Sequence, residues 1–142
     1  MKGLYRITNP DKYLGDVNKI TYRSSWEFKF MRWLDKNPKI LKWSSEPFPI
    51  TYISPVDKKT HKYWPDFFII KDRDGAEERV LIEIKPKIQS FKPIKGKKQK
   101  RTFIKENIRY AINQAKWNAA TTFCFNKGWK FQVLNEEHLG IK

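Results

Sequence analysis

Apolar and polar positions along this chain follow two different periods, which predict both strands and helices. Residues 79–85, with the sequence RVLIEIK, alternate with the two-residue period of a strand. Residues 62–70 form a second β-rich run, and the turn signal of residues 72–75 lies between the two, so we expect a hairpin. Because Pro65 cannot donate to a sheet ladder, we expect the first strand to be bent or bulged there.

Helical patterns mark two further segments. The first helix is predicted to begin at Ser24 and to end near residues 37–38, because serine is a favoured cap and proline disfavours helix in the residue before it. A longer helix should span about residues 102–126 and end before Gly128. The remaining predicted elements are strands at about 40–43, 48–53 and 129–134 and a terminal turn that starts at 135–138.

The net charge of the chain indicates the class of substrate. The chain carries 30 Lys and Arg against 15 Asp and Glu, a formal net charge of +15. Such a field favours polyanions such as DNA, with phosphate contacts supplying most of the affinity. A membrane surface would attract the same charge, but the sequence contains no run of about 18 apolar residues and no signal peptide. We therefore expect a soluble, intracellular protein without membrane association.

The length of 142 residues predicts one α/β domain, since domains usually have about 100 to 200 residues. Residues 1–20 are basic and aromatic with little periodicity, so we expect an irregular N-terminal arm that docks on DNA or a partner. The domain itself is expected at 21–142. Within it, residues 86–101 are dense in lysine and contain Pro93 and Gly96, which predicts a mobile loop.

Cysteine and histidine are too rare to build a cross-link or a zinc site. The sequence contains one cysteine, Cys124, and two histidines, His61 and His138. The neighbours of Cys124 predict a buried helix face rather than an activated nucleophile. Any metal must then be held by oxygen. The tryptophans are predicted as core residues rather than stacking platforms for bases: Trp26, Trp33, Trp43, Trp64, Trp117 and Trp129.

The predicted hairpin carries the candidate chemistry. Because side chains alternate faces along a strand, Glu83 and Lys85 point the same way, and Asp66 follows Pro65 on the other strand. Phosphodiester hydrolysis needs a divalent cation, and two carboxylates with substrate oxygens suffice to hold Mg²⁺. Each residue alone has a plainer role, as a surface lysine, a cross-strand ion pair or a turn acid. Together, at this spacing, they favour chemistry.

The Pro-Asp pair at 65–66 followed by Glu83-Ile84-Lys85 resembles the PD-(D/E)xK signature of restriction-endonuclease-like nucleases. The order of a helix with Glu27, a segment at 43–52 and the sequence YWPDF is similar to two groups: transposon-encoded endonuclease subunits and the head completion nucleases of tailed bacteriophages. The length, the Lys116-Trp117 helix and the FQVL strand favour the phage group.

This resemblance, which runs from about residue 22 to 139, implies a restriction-endonuclease-like core with a central mixed β-sheet flanked by α-helices. It makes Asp66 and Glu83 metal ligands, Lys85 the residue next to the attacking water, and Glu27 an additional metal-binding acid. Glu27 also lies three residues after Ser24, so a capping box explains it equally well.

The activity implied is Mg²⁺-dependent cleavage of double-stranded DNA with little sequence specificity, with Mn²⁺ as a substitute. It belongs to phage head completion and head-tail joining, in the host cytoplasm or on the virion, with portal or neck proteins as partners.

Cations near these acids are candidate DNA contacts. The loop at 86–101 leaves directly from the predicted catalytic strand and should close over a duplex. A solvated loop and surface ion pairs are the plain alternatives. The candidate phosphate-binding residues are Arg23, Lys87, Lys92, Lys95, Lys97, Lys98, Lys100, Arg101 and Lys116.

Two other functions fit part of this pattern. A non-catalytic DNA-binding head or neck assembly protein would explain the charge, but not the presence of Asp66, Glu83 and Lys85 together, because acids repel phosphate without a metal. A transposon or restriction-type endonuclease would share the chemistry, but no base-reading helix stands out in this short chain.

Overall fold

The computed structural model describes residues 1–141, and its centre is a four-stranded mixed sheet. The strands are β1 (Gly3–Leu4), β2 (Thr21–Tyr22), β3 (Ile40–Ser45), β4 (Ile50–Ile53), β5 (Thr60–Tyr63), β6 (Phe67–Arg73), β7 (Ala76–Ile84) and β8 (Lys130–Leu134), and the α-helices are α1 (Ser25–Lys36) and α2 (Lys100–Lys127). In the central sheet the order is β3-β6-β7-β8, with β7 and β8 parallel and the other pairs antiparallel. The pairs β1-β2 and β4-β5 form separate short ladders.

Helices cover both faces of the central sheet. Since side chains alternate along each strand, Phe67 packs on one face with Leu34 of α1, whereas Phe68 and Leu81 pack on the other face with Trp117 of α2. The sheet is thus the middle of three layers. The predicted class, an α/β fold with a mixed sheet flanked by helices, is confirmed.

Local signals set the ends of the elements. Ser24 caps α1, since its hydroxyl accepts a hydrogen bond from the backbone N–H of Glu27 at 3.1 Å. Gly128 ends α2 with a φ of 73°, in the left-handed region that glycine adopts freely. Asp74 and Gly75 both have positive φ, as the tight turn between β6 and β7 requires. The predicted hairpin and helix ends are confirmed to within two residues.

The β-rich run at 62–70 is divided differently from the prediction of one bent strand. β5 ends at Tyr63 and pairs with β4, whereas β6 begins at Phe67 in the central sheet. The cause is Pro65, a buried residue without an N–H to donate, at which the chain passes from one ladder to the other. The site acid Asp66 therefore lies at a junction of two sheets rather than on a strand.

Residues 1–20 are largely irregular, as predicted, but they pack on the rest of the domain. Tyr5 and Ile20 are buried in the core beside α1. The carboxylate of Asp35, near the end of α1, accepts hydrogen bonds from Tyr5 Oη at 2.7 Å and from the backbone N–H groups of Thr8 and Asn9 at 2.7 and 2.9 Å. The segment is thereby tied to the helix.

Two sequence expectations, the burial of all six tryptophans and a single lysine-rich loop, need correction. Trp33 and Trp64, predicted as core, are half exposed, because Trp33 borders the buried stripe of α1 and Trp64 lies in the crossover between sheets. The lysine-rich segment 86–101 is not one loop, since residues 87–90 form a 3-10 turn and the last two residues already belong to α2. No α-helix within residues 1–141 is long and apolar enough to cross a bilayer.

Candidate active site

Asp66 is held between the ends of two strands. Its backbone carbonyl accepts a hydrogen bond from the N–H of Glu46 at 2.9 Å, which extends the pairing of β3 with β6 by one residue. Its carboxylate accepts a second hydrogen bond from the backbone N–H of Ile84 at 2.8 Å. The Asp66 side chain thus accepts the hydrogen bond of a backbone N–H at the end of β7, where β6 has not yet begun.

Glu83 and Lys85 lie at that same end of β7. Glu83 follows Leu81 by two residues, so it faces α2, and it is only 4% exposed. Lys85 also faces α2, with which it lines a cleft, and its backbone N–H donates to the carbonyl of Leu134 at 2.9 Å. The acid and the ammonium therefore share one face of the sheet, as the alternation predicted.

The carboxyl groups of Asp66 and Glu83 lie close enough to interact electrostatically. The pKa of Asp66 is raised well above its usual value, first by burial and then by the charge of Glu83, whereas the Ile84 N–H and Lys85 act in the opposite direction. Two adjacent carboxylates repel when both are ionised, and a cation between them would relieve that repulsion. The electrostatics of the pair therefore fit a metal site.

Glu27 approaches this pair from the start of α1. It accepts hydrogen bonds from the backbone N–H of Arg23, one residue before the cap, at 3.4 Å and from Ser24 Oγ at 3.5 Å, so its side chain is turned back towards the start of α1 as in a capping box. Its pKa is raised by burial and then by the charge of Asp66. Glu27 therefore caps the helix and also lies within electrostatic range of the acid pair.

The three acids predicted to bind a metal do not come together as one ligand set. Within residues 1–141, no group of three or more His, Cys, Asp or Glu side chains is placed to hold a metal ion. The cap hydrogen bonds turn Glu27 towards its own helix end, so the expected set of Glu27, Asp66 and Glu83 reduces to the last two. Two carboxylates are a donor set that suits Mg²⁺, which keeps several waters and accepts phosphate oxygens.

The predicted DNA contacts divide into paired and exposed groups. Lys116 on α2 lies over the rings of Tyr52 and Tyr63, at 5.9 and 5.6 Å. Three other predicted contacts are held in ion pairs: Arg23 with Glu46, Lys87 with Glu137 and Lys98 with Glu106. The exposed predicted contacts between the site and the first turn of α2 are Lys92, Lys95, Lys97, Lys100 and Arg101.

Sequence reasoning missed two buried polar residues, Tyr63 near Glu83 and Asn113 in the cleft with Lys85. The Tyr63 hydroxyl and the Asn113 Nδ2 are buried, and neither has a hydrogen-bond partner within residues 1–141. The pKa of Tyr63 is raised by burial and then by the charge of Glu83. A signal for Asn113 was present, because it is the polar member of a buried helical stripe that continues through Trp117.

The chain is similar to known nucleases. Residues 37–136 match the family model described as "TnsA-like endonuclease N terminal", a segment that includes Asp66, Glu83 and Lys85 but not Glu27. The chain is 41% identical over 135 residues to the head completion nuclease of Enterobacteria phage T4, which covers 92% of this chain and 88% of that protein. No solved structure gives a significant match. The chain therefore belongs to the TnsA-like endonuclease family, with the phage T4 head completion nuclease among its relatives.

Proposed function

We propose that this protein is a metal-dependent deoxyribonuclease that hydrolyses phosphodiester bonds with little sequence specificity. The observation that carries the proposal is the close pairing of the Asp66 and Glu83 carboxyl groups at the end of β7, beside Lys85. A desolvated pair of like charges is unfavourable in a purely structural role, whereas metal-dependent catalytic sites are built from such pairs. Membership of an endonuclease family supports the same conclusion.

Asp66 and Glu83 are the residues that would hold the cofactor. When bound, Mg²⁺ or Mn²⁺ supplies charge neutralisation at the phosphate and lowers the pKa of a water. The hydrogen bond from the Ile84 N–H fixes the Asp66 carboxylate, so little reorganisation is needed on binding. Lys85 contributes positive charge next to the reacting phosphate and orients the attacking water.

Glu27 acts at the margin of this site as the third acid of the set. Its cap hydrogen bonds fix its carboxylate, and its own pKa is raised by burial and then by the charge of Asp66. We propose that it would contribute negative charge near a bound cation without holding the cation itself.

The substrate is double-stranded DNA held through its backbone. A net charge of +15 on 142 residues favours phosphate contacts, which carry no sequence information. The name of the phage T4 relative supports a role in head completion, during assembly in the host cytoplasm after DNA packaging. Portal or neck proteins are then the partners that would bring this site to the DNA.

Cleavage of supercoiled plasmid tests the proposal. Wild-type protein should nick plasmid with Mg²⁺ and not with chelator, and Asp66→Asn or Lys85→Ala should reduce the rate by about a hundredfold or more. Glu77→Gln, an exposed acid at the other end of β7, and Lys36→Ala, at the end of α1, are matched controls that should cut normally.

DNA affinity is measured for the same variants, so that a loss of cutting can be separated from a loss of binding. DNA binding without cleavage by wild-type protein, over a range of divalent metals and salt concentrations, would refute the nuclease and favour a non-catalytic assembly protein.

A further inference from the structure

The cleft that Lys85 lines lies between the end of β7 and the face of α2. It encloses about 430 Å³ and is open to solvent. Its polar lining comes from Lys85 on the sheet and from four residues of the helix: Lys105, Arg109, Asn113 and Lys116.

Charge in this cleft has one sign. Its lining residues include four cations and no carboxylate. Lys105 and Arg109 are four residues apart and thus neighbours on one helix face, and Lys116 lies further along the same face. The rings of Tyr52 and Tyr63 lie beneath Lys116, which limits the positions its ammonium can occupy. The cleft is therefore a concentrated positive site.

Asn113 provides the second, independent observation. It is only 5% exposed, it lines this cleft, and its Nδ2 has no hydrogen-bond partner within residues 1–141. Buried amide donors are nearly always paired, because an unpaired one loses its bonds to water without compensation. Within residues 1–141 no hydrogen bond fixes the orientation of this amide, so rotation of the amide about its Cβ–Cγ bond would present the buried Nδ2 donor to the oxygen of an anion in the cleft.

We propose that this cleft is a phosphate subsite, in which Asn113 donates to a backbone phosphate of the DNA strand while Lys85, Arg109 and Lys116 surround its charge. This inference rests on the proposed function for the identity of the strand. Because Lys85 borders both the cleft and the acid pair, the phosphate bound here is a neighbour of the one that is cut. The subsite fixes the register of the strand relative to Asp66 and Glu83.

Fluorescence anisotropy measures the binding of a short duplex at several salt concentrations. Chelator is present throughout, so the subsite is tested without any cleavage. Asn113→Ala should weaken binding about tenfold and leave the salt slope unchanged, because no charge is removed. Asn113→Asp has the same shape and should weaken binding further through repulsion. Arg109→Ala should weaken binding and lower the salt slope by about one. Lys36→Ala, on the opposite side of the sheet, is the matched control and should bind as wild type.

The source of the phosphate is tested in the same assay. Inorganic phosphate at constant ionic strength should leave DNA affinity unchanged, because a strand is held by several phosphates at once. Displacement of DNA by millimolar phosphate would assign the cleft to a free ion and overturn the proposal.

The outcomes also separate this inference from the nuclease proposal. If wild-type protein fails to cut DNA but Asn113→Ala and Arg109→Ala bind it more weakly, the phosphate subsite is supported and the nuclease proposal is refuted. If wild-type protein cuts but both variants bind and cut normally, the subsite is refuted. Arg109 is exposed, so its substitution remains informative should a change at the buried Asn113 impair folding.

Discussion

Replacing Asp35 by alanine should substantially lower the free energy of unfolding of this protein, although Asp35 lies outside the proposed DNA-binding site. The carboxylate is fully buried and accepts three hydrogen bonds, one from the Tyr5 hydroxyl and two from the backbone N–H groups of Thr8 and Asn9. These bonds join the N-terminal segment to the end of α1. Asp35→Ala removes all three acceptor contacts at once.

The magnitude follows from what the substitution leaves behind. A buried donor without a partner costs about 1–3 kcal/mol. Thr8 and Asn9 are at the surface and can turn to water, whereas Tyr5 cannot, so we expect a loss of about 3 kcal/mol in the free energy of unfolding, the upper end of that range. For a domain of this size, that corresponds to a decrease of about 10 °C in Tm.

The effect of Asp35 should also depend on pH. Burial would raise the pKa of this carboxyl, but the hydrogen bonds from Thr8, Tyr5 and Asn9 outweigh it and lower the pKa below the usual value of 3.8. A group with a lowered folded-state pKa stabilises the fold above the unfolded-state pKa and loses that contribution as the pH falls through the folded-state value. The stability difference between wild type and Asp35→Asn should therefore narrow below about pH 4.

Urea denaturation, monitored by tryptophan fluorescence and repeated from neutral to acidic pH, measures both the loss of stability and its dependence on pH. Asp11→Ala, which removes an exposed carboxylate from the same N-terminal segment, is the control and should change stability by less than about 0.5 kcal/mol. A loss below about 1 kcal/mol for Asp35→Ala would refute this reasoning, as would a difference between wild type and Asp35→Asn that does not change with pH.

Three further predictions concern single residues. Glu27→Gln keeps the capping box, since glutamine also serves at that position, so Tm should be unchanged while plasmid cleavage falls; normal cleavage would confine Glu27 to capping. Burial raises the pKa of Cys124 to about 11, so at pH 8 its alkylation should be at least about a hundredfold slower than in urea, and equal rates would contradict its buried position. Gly128→Ala should cost about 1 kcal/mol through its positive φ alone, because no atom lies within 4 Å of the added methyl group; unchanged stability in urea denaturation would exclude that strain.

The sequence predicted the parts of the site that depend on local pattern. Alternation along residues 79–85 placed Glu83 and Lys85 on one face, and the turn signal before Ala76 placed the hairpin. The capping box around Glu27 was also readable, because its geometry is set within one turn of helix. Such features depend on neighbours in the chain, which a sequence displays directly.

The parts that depend on tertiary packing were not predicted. Which side of α2 meets the end of β7 is decided by core packing, so Arg109 and Asn113 gave no sign of lying beside Lys85. The burial of Asp35 depends on a segment some 26 to 30 residues earlier in the chain. The ion pair of Arg23 with Glu46 likewise joins two elements whose distance the sequence does not show.

The central claim is that Asp66 and Glu83 form a metal-dependent cutting site, and single-turnover cleavage of an end-labelled duplex tests it most directly. Wild-type protein in excess over DNA should cut with Mg²⁺ and stop when the metal is chelated, and Glu83→Gln should bind the duplex but fail to cut it. Cleavage by Glu83→Gln at the wild-type rate, or cleavage by wild-type protein in chelator, would contradict the account.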